Sequence, residues 1–196
     1  MVRKVELPRA KLVERKEITS DLMIIKLEPE AGPLAFKPGQ YCTLGLEGIE
    51  RAYSIASAPH EPLLEIFVEL VPEGALTPLM WKMKVGDSIS IRPRPKGIFL
   101  LDRKVHNHFM LATVTGVAPF VSMLRSYLHE GQNGYRFYVL LGASYADELT
   151  YDPEFSEMAA QHPRDIVFVP TVSRPDQDPD WGPDLARGRA NDTCRH

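Results

Sequence analysis

A cation, an aromatic ring and a hydroxyl lie within four residues of one another in the segment RAYSIASAP, at Arg51, Tyr53 and Ser54. The segment otherwise has the composition of a buried strand. A guanidinium group is well suited to bind an anion, because its fork of N–H donors matches the oxygens of a phosphate. A structural role explains each residue by itself, since Arg51 could cover the end of a barrel and the other two could be ordinary strand residues.

A second candidate anion site follows in GALTP, residues 74–78. Thr77 is a good N-cap and Pro78 suits the first turn of a helix, so LMWKMK is expected to be helical until Gly86 stops it. The amides at a helix N-terminus favour an anion. Arg51 would be a partner for the same anion.

The glycine turn ATVTGVAPF is a third candidate site, for a phosphate. A strand, HFMLAT, is predicted to end at Thr113, Gly116 permits close approach to the main chain, and Pro119 suits the opening turn of a helix. Ligands of parallel sheets bind outside the carboxyl ends of the strands. The turn lacks the full Gly-x-Gly-x-x-Gly pattern, however, and a plain strand-to-helix turn explains the same residues.

Ser173 and Arg174 stand at the end of a later strand, in TVSRP. A guanidinium fork and a hydroxyl could together hold an adenosine 2′-phosphate, which would favour NADP over NAD. An exposed Ser-Arg-Pro turn is the alternative explanation of the same residues.

Two kinds of periodicity divide the chain. The first half contains short strands such as LLEIFVELV, whose alternation predicts a half-exposed strand of an antiparallel barrel or sandwich. The second half alternates strands with helices, which predicts a parallel sheet, and its helix APFVSMLRSYLHEG carries one apolar face and should end at Gly131. We therefore predict a β-barrel followed by an α/β domain, over residues 1–100 and 101–196.

The composition is that of an ordinary globular protein, with 44% hydrophobic and 25% charged residues in a chain of 196. No apolar run approaches the roughly 20 residues that a membrane helix needs, and the N-terminus lacks the features of a secretory signal. A cytoplasmic location without a membrane partner is expected. Cys42 and Cys194 are too few for a metal cluster and are expected to be free thiols.

The charge is unevenly distributed. A net charge of −3 gives no general attraction for nucleic acid, but a basic segment runs from Lys82 to Lys104. Its seven basic residues stand against only Asp87 and Asp102, and they are Lys82, Lys84, Arg92, Arg94, Lys96, Arg103 and Lys104. Such a segment could attract an acidic partner. A solvated face of scattered charges is an equally good explanation.

Taken together, the motifs resemble the ferredoxin–NADP reductase family, in particular the bacterial flavodoxin/ferredoxin reductases. The resemblance runs from about residue 5 to about residue 190, through RAYS at 51–54, GALT at 74–77, GIF at 97–99, TGVAPF at 115–120 and SR at 173–174. It implies an antiparallel barrel that binds FAD, a parallel sheet that binds NADP, and a ferredoxin or flavodoxin that meets the basic segment.

The resemblance also implies a role for each motif residue. Arg51 would contact the FAD pyrophosphate, Tyr53 would lie against the isoalloxazine ring, and the Ser54 hydroxyl would reach the flavin N5 region, where hydride arrives. The other cofactor-binding residues would be the pyrophosphate loop of Gly74, Ala75, Leu76 and Thr77, and the NADP site of Thr115, Gly116, Pro119, Ser173 and Arg174. The flavin would carry the redox chemistry, and no protein nucleophile would be required.

The chain departs from the family after TVSRP. Members of the family continue with further parallel strands, a Cys-Gly-x-Pro motif and a C-terminal segment over the flavin, and none of these is found in the remaining sequence. Cys194 is not followed by glycine and receives no catalytic role. The strand HFMLAT is expected to be an exposed apolar edge that favours a partner or self-association, in a nucleotide-binding domain that is incomplete.

The leading hypothesis is an FAD-dependent oxidoreductase that transfers electrons between NADP(H) and a one-electron carrier such as ferredoxin or flavodoxin. The alternative is a flavin-binding electron-transfer subunit without independent NADP turnover, completed by a partner chain. A flavin-free barrel that retains only the fold is the third possibility.

Overall fold

The computed structural model describes residues 7–178, 181–182 and 185–193, so Cys194 lies outside the described residues. The chain divides into two compact units. The first consists of the chain up to Leu101 together with Ala118–Ser126, and the second of Asp102–Val117 together with the chain from Tyr127 onward. Among the described helices, none combines the length and apolar character needed to span a membrane.

The first unit is an antiparallel sheet with one short helix. Its elements are β1 (Arg9–Glu17), β2 (Leu22–Pro29), β3 (Tyr41–Leu46), β4 (Ile49–Ser54), β5 (Leu64–Glu69), α1 (Thr77–Lys82) and β6 (Ser88–Ile91). The strands pair in the order β4-β3-β6-β1-β2-β5. The predicted antiparallel fold is confirmed, but the sheet is not closed, since its edge strands β4 and β5 do not pair with each other in the described chain.

The second unit is a parallel sheet with helices. Its elements are β7 (Asn107–Thr113), the C-terminal turn of α2 (Ala118–His129), β8 (Arg136–Ala143), α3 (Asp152–Gln161), β9 (Ile166–Val172), β10 (Ala186–Arg187) and α4 (Ala190–Thr193). The strand order is β10-β9-β8-β7, and every pair is parallel. The predicted parallel α/β sheet is therefore confirmed.

Helices cover one face of the parallel sheet. Tyr127 of α2 lies 4.8 Å from Phe137 of β8 between ring centroids, and Phe155 of α3 lies 5.3 Å from Phe168 of β9. The strand register places Phe137 and Phe168 on the same face. This arrangement is what right-handed crossovers produce when successive strands are added in one direction.

The other face of β7 is open. Phe109 and Leu111 point to this face and are 60% and 41% exposed. Among the described residues β7 is an edge strand of the sheet, so the predicted apolar edge is confirmed. No Lys, Arg, Asp or Glu occurs within Asn107–Thr113 to oppose edge-to-edge pairing.

The sequence analysis missed strand β1. Six of its nine residues are charged, which conceals its period of two. Ala10 and Leu12 point into the core, and then a shift of register between Leu12 and Glu14 breaks the alternation. Tertiary pairing with β2 and β6, rather than local pattern, makes this segment a strand.

The prediction that β5 is half-exposed was wrong. Both of its faces are covered, and even Glu65 and Phe67 are only 7% and 5% exposed. Glu65 is neutralised by Arg125 of α2, whose Nη1 atom lies 3.1 Å from the Glu65 carboxylate. Charged residues on one face of a strand predict that the face is exposed only if no partner charge covers them.

The predicted capping of α1 was also wrong. Leu76 is the N-cap, and Thr77 is already helical. The Thr77 hydroxyl instead accepts a hydrogen bond from the Val71 amide at 3.0 Å and donates one to the Val71 carbonyl at 3.2 Å. The helix ends at Lys82, and Gly86, with φ of +102°, belongs to the turn that follows.

Helix α2 is more deeply buried than its sequence indicated. Beyond the predicted apolar face, Val121, Ser122 and Ser126 are also buried, whereas Leu128 is only half-buried. Gly131 ends the helical segment as predicted, with φ of +62° and its amide bonded to the Leu128 carbonyl at 3.2 Å.

A short parallel strand lies beyond Arg174, where none was expected. Ala186 and Arg187 form β10 and pair with Thr171 and Val172. The Trp181 indole nitrogen donates a hydrogen bond to the Ala186 carbonyl of this strand at 3.0 Å. A strand of two residues has no periodicity from which it could be predicted.

The environment of His108 on β7 predicts that stability depends on pH. Its ring stacks on Phe137 at 5.2 Å, and its Nε2 atom is buried without a hydrogen-bond partner in the described chain. Burial lowers the pKa of His108 below its usual 6.5, more than the hydrogen bond to Val105 raises it. The unfolded chain therefore binds a proton near pH 6.5 that the folded chain resists.

We expect the free energy of unfolding to decrease as the pH falls through and below 6.5. Urea unfolding at several pH values between about 5 and 8 measures this slope. His108→Asn keeps an amide donor near Val105 but does not titrate, so it should have a flatter profile. An equal slope in both proteins would show that another group is responsible.

Candidate functional site

Strand β4 presents the Arg-x-Tyr-Ser motif at the edge of the antiparallel sheet. Arg51 and Tyr53 lie on one face, because they pair with Leu44 and Cys42 of β3, two residues that point into the core. Ser54 is the last residue of the strand and lies on the opposite face. The structure thus brings the cation and the ring together and places the hydroxyl at the point where the chain leaves the strand.

The exposure and the pKa shifts of the β4 side chains agree with this placement. Arg51 is exposed, and its Nη1 atom donates to the Glu50 carbonyl at 2.7 Å. Burial raises the pKa of the half-buried Tyr53, while the charge of Arg51 lowers it to a smaller degree. Opposite Tyr53, burial raises the pKa of the Cys42 thiol to about 12, so a reactive thiolate is not available there.

The chain after Ser54 is held rigidly by groups that sequence reasoning missed. The Ala56 amide donates to the Glu65 carbonyl at 2.8 Å, and the Glu65 amide donates to the Ser57 hydroxyl at 3.1 Å. The Ser57 carbonyl accepts a hydrogen bond from the Ser122 hydroxyl at 2.7 Å. Ser57 and Ser122 are fully buried, and a serine within an apolar segment is the only sequence signal that could have indicated them.

The amides of the loop at residues 74–77 are not all free, since the Gly74 amide donates to the Val71 carbonyl at 2.8 Å. No described residue accepts a hydrogen bond from the amides of Ala75, Leu76 or Thr77. Gly74 is required by packing, since a Cβ at this position would lie 2.9 Å from the Val71 carbonyl oxygen. The loop can therefore offer main-chain donors to an anion, while the Thr77 hydroxyl already binds Val71.

A cavity of about 450 Å³ lies at the carboxyl ends of β7, β8 and β9. It is lined by residues 111–114 and 142–144 and by Ser173, Arg189 and Ala190. Its volume is within the range of about 300–1,000 Å³ that is usual for small-ligand sites. The lining residues with polar side chains are Thr113, Ser144, Ser173 and Arg189, and the others are apolar or glycine.

The other predicted NADP residues lie outside this lining. Thr115 and Gly116 belong to a 3-10 turn, Val114–Val117, that leads into α2. A Cβ at Gly116 would meet nothing within 4 Å, so neither packing nor a positive φ explains the glycine. Pro119 is buried in the first turn of α2.

Arg174 is exposed and held in place by an aromatic side chain. Its Nη1 atom donates to the Tyr145 hydroxyl at 2.9 Å, and its guanidinium lies 5.4 Å from the centre of the Tyr145 ring. Tyr145 was not among the predicted site residues. Because it follows β8 whereas Arg174 follows β9, only the sheet register brings the two together.

Arg189 is a second guanidinium at the same end of the sheet, and sequence analysis did not identify it. The preceding Gly188, with φ of +106°, donates its amide to the Val172 carbonyl at 2.9 Å. The Gly188 carbonyl accepts a hydrogen bond from the Thr171 hydroxyl at 3.0 Å. These bonds, together with β10, place Arg189 in the cavity lining.

Comparisons with known proteins identify both units. Residues 9–99 match the oxidoreductase FAD-binding domain, and residues 110–189 match the oxidoreductase NAD-binding domain. The chain is 33% identical over 158 residues to the flavodoxin/ferredoxin–NADP reductase of Escherichia coli, covering 77% of this chain and 63% of that protein. It is 30% identical over 172 residues to the corresponding reductase of Buchnera aphidicola subsp. Baizongia pistaciae, covering 84% and 68%.

A solved structure agrees with these relatives. The crystal structure of a ferredoxin NADP+ reductase from Neisseria gonorrhoeae with bound FAD and NADP is similar with a TM-score of 0.79 and 28% identity, covering 95% of this chain and 74% of that one. The chain therefore belongs to the ferredoxin–NADP reductase family, with its FAD-binding and NAD-binding domains. It spans about 63% of the length of the Escherichia coli relative.

Proposed function

We propose that the protein is an FAD-dependent oxidoreductase that transfers electrons between NADP(H) and a one-electron carrier. The observation that carries the proposal is the cavity at the carboxyl ends of the parallel strands. Ser173 and Arg189 both line this cavity. Residues 1–100 would form the FAD-binding domain and residues 101–196 the NADP-binding domain. The family relationship supports both assignments.

The FAD site would use the two features of the first unit that fit its parts. Arg51 would bind the pyrophosphate together with the free amides of Ala75, Leu76 and Thr77, because charge-assisted hydrogen bonds are the strongest available there. Tyr53 shares a face with Arg51 and would lie against the isoalloxazine ring. The side chains present on β4 therefore fit both ends of this cofactor.

Ser54 is proposed to touch the reacting part of the cofactor. Bound FAD would supply the redox chemistry, accepting a hydride as an electron pair and releasing the electrons singly. The Ser54 hydroxyl would orient this end by a hydrogen bond near the flavin N5 atom. The rigid chain from Ala56 to Ser57 would keep the hydroxyl in place.

The NADP site would lie in the cavity of the second unit. Ser173 and Arg189 line it, and Arg174 stands beside Ser173 at the end of β9, so two guanidinium groups could bind an adenosine 2′-phosphate. The rest of the nucleotide would lie beside Thr115, Gly116 and Pro119, at the turn after β7. The open space at Gly116 supports this, because a ligand could approach the main chain there.

Arg174→Ala and Arg189→Ala are each expected to weaken NADPH binding by about 10- to 100-fold while changing NADH binding little. Only NADPH carries the phosphate that the guanidinium groups are proposed to hold. Arg187→Ala is the matched control, since Arg187 is two residues from Arg189 but pairs with Asp176 at 3.5 Å outside the cavity lining. Calorimetric titration with NADPH and with NADH measures both affinities. An equal loss of affinity for NADH would contradict the assignment of these guanidinium groups to the 2′-phosphate.

The electron partner is proposed to be a ferredoxin or flavodoxin that binds the basic segment. Lys82, Lys84, Arg94 and Lys96 are exposed in the first unit. Arg92 is less available, since it forms two hydrogen bonds, of 2.9 and 2.6 Å, with the Glu50 carboxylate. Association through such a surface would weaken with increasing salt.

The edge strand β7 is proposed to support association with a partner or a second copy. The exposed side chains of Phe109 and Leu111 and the absence of charge on the strand support this proposal. Sedimentation of the purified chain would show a dimer or larger species. Phe109→Lys, which places a charge on this edge, should shift that species towards the monomer.

The activity is tested by following NADPH-dependent reduction of ferredoxin and of flavodoxin by the FAD-loaded chain. The proposal requires reduction of at least one carrier at a rate that falls with added salt. A chain that holds FAD but is not reduced by NADPH would instead be a flavin-binding electron-transfer subunit completed by a partner.

A further inference from the structure

Val114 has a backbone conformation that its side chain disfavours. Its φ is +41°, in the left-handed region. The other described non-glycine residue with a positive φ is Glu47, with φ of 51°, which lies in the tight hairpin between β3 and β4. Left-handed backbone is least compatible with β-branched residues, so valine is a poor choice for this turn on conformational grounds.

Regular structure flanks Val114 on both sides. Thr113, the preceding residue, is the last residue of β7 and pairs with Gly142 of β8. The 3-10 turn Val114–Val117 begins at once and leads into α2. A residue fixed on both sides in this way retains an unfavourable φ because its neighbours over-determine it, and such residues are concentrated at binding sites.

Val114 also lines the cavity at the ends of the parallel strands. It follows β7, whereas Ser173 follows β9, and β8 lies between these strands. Neighbouring strands are about 4.8 Å apart, so Val114 and Ser173 are at opposite ends of the cavity, separated by about 10 Å. A nucleotide anchored at Ser173 therefore has to pass Val114 in order to fill the cavity.

We propose that Val114 is a specificity-determining residue that narrows the β7 end of the nucleotide cavity. The inference rests on the proposed NADP(H) function of this cavity. The adenosine 2′-phosphate end binds near Ser173 and Arg189, beyond the reach of Val114. The pyrophosphate and nicotinamide end meets Val114, which lines the cavity and has an unfavourable backbone conformation. Val114 thus weakens the binding of the whole dinucleotide but not of its adenosine part.

Three variants separate the bulk of the side chain from the strain of the backbone. Val114→Gly removes the side chain and tolerates the positive φ. Val114→Asn also tolerates the positive φ but retains a side chain of similar size in the cavity. Val114→Ala removes two methyl groups without changing the main chain, and it keeps the test intact if the glycine variant is poorly folded. Thermal unfolding without ligand verifies that each variant is folded.

The ligands are NADPH and adenosine 2′,5′-bisphosphate, which has the 2′-phosphate but lacks the nicotinamide. Calorimetric titration of the purified chain is expected to show about ten-fold tighter NADPH binding for Val114→Gly, equivalent to about 1.4 kcal/mol, and a smaller gain for Val114→Ala. Val114→Asn should bind NADPH within about two-fold of the parent chain. Adenosine 2′,5′-bisphosphate should bind all four proteins equally.

The possible results distinguish this inference from the function on which it rests. If NADPH affinity is unchanged by Val114→Gly while both ligands bind, the role of Val114 is refuted and the nucleotide site stands. An equal gain for Val114→Asn would assign the effect to backbone strain and would also refute the inference. If neither ligand binds any of the proteins, the proposed nucleotide site fails and the inference fails with it.

Discussion

Replacing Arg51 with alanine is expected to raise the dissociation constant for FAD by about 10- to 100-fold, because a charge-assisted hydrogen bond contributes roughly 1.5–3 kcal/mol. Arg51 is exposed on an edge strand, and its guanidinium donates a hydrogen bond to the Glu50 carbonyl of the same strand. Its removal should therefore change cofactor binding without loss of stability. Fluorescence titration of the flavin measures the affinity.

Two further variants test whether the effect is specific to Arg51. Arg94→Ala removes an exposed cation from the same unit and should bind FAD as the parent chain does. Arg51→Lys keeps the charge but not the planar fork, and it should show an intermediate affinity. If Arg51→Ala retains FAD with unchanged affinity, the pyrophosphate is not bound at β4.

Replacing Gly39 with alanine is expected to destabilise the first unit by about 3 kcal/mol or more, which combines a left-handed backbone penalty with overpacking. Gly39 has φ of +93°, and a Cβ there would lie 1.9 Å from the Phe99 carbonyl oxygen and 2.5 Å from the Met123 Cε atom. The methionine can move, but the Phe99 oxygen belongs to the main chain. The segment at Phe99 would therefore have to shift.

Gly32→Ala is a closely matched control for this prediction. Gly32 has nearly the same φ, +92°, but a Cβ there would meet nothing within 4 Å. Gly32→Ala should lower the free energy of unfolding by only about 1 kcal/mol, which is the conformational part of the effect. Urea unfolding of both variants compares the two costs, and equal destabilisation would show that contact with Phe99 contributes nothing.

The parts of the fold that follow from local pattern were predictable from the sequence. The end of β7 at Thr113, the glycine stop at Gly131 and the parallel order of the second half depend on periodicity and on turn residues. The motif at Arg51 and Tyr53 was found because its residue types lie close together in the sequence, and the strand register places the two side chains on one face.

The rest depends on contacts between residues distant in the chain. Glu65 looked exposed because its partner, Arg125, is sixty residues away in sequence. Arg189 reaches the cavity only through the two-residue strand β10, and Tyr145 meets Arg174 only through the sheet register. Neither periodicity nor motif spacing contains this information.

The strained backbone at Val114 was equally invisible in the sequence. The glycine and the proline made the segment TVTGVAP a candidate site. Gly116 does not have a positive φ. The unusual residue of the turn is the valine before them. Propensity scales describe average residues, whereas a conformation imposed by flanking elements is visible only in the folded chain.

The most direct measurement is the visible spectrum of the FAD-treated, purified chain before and after anaerobic addition of NADPH. We expect a yellow protein whose flavin absorption is bleached by NADPH, because one chain would hold the flavin at β4 and the nucleotide in the cavity of the parallel sheet. A colourless chain that cannot be loaded with FAD would contradict the flavin site, and colour that NADPH does not bleach would contradict hydride transfer.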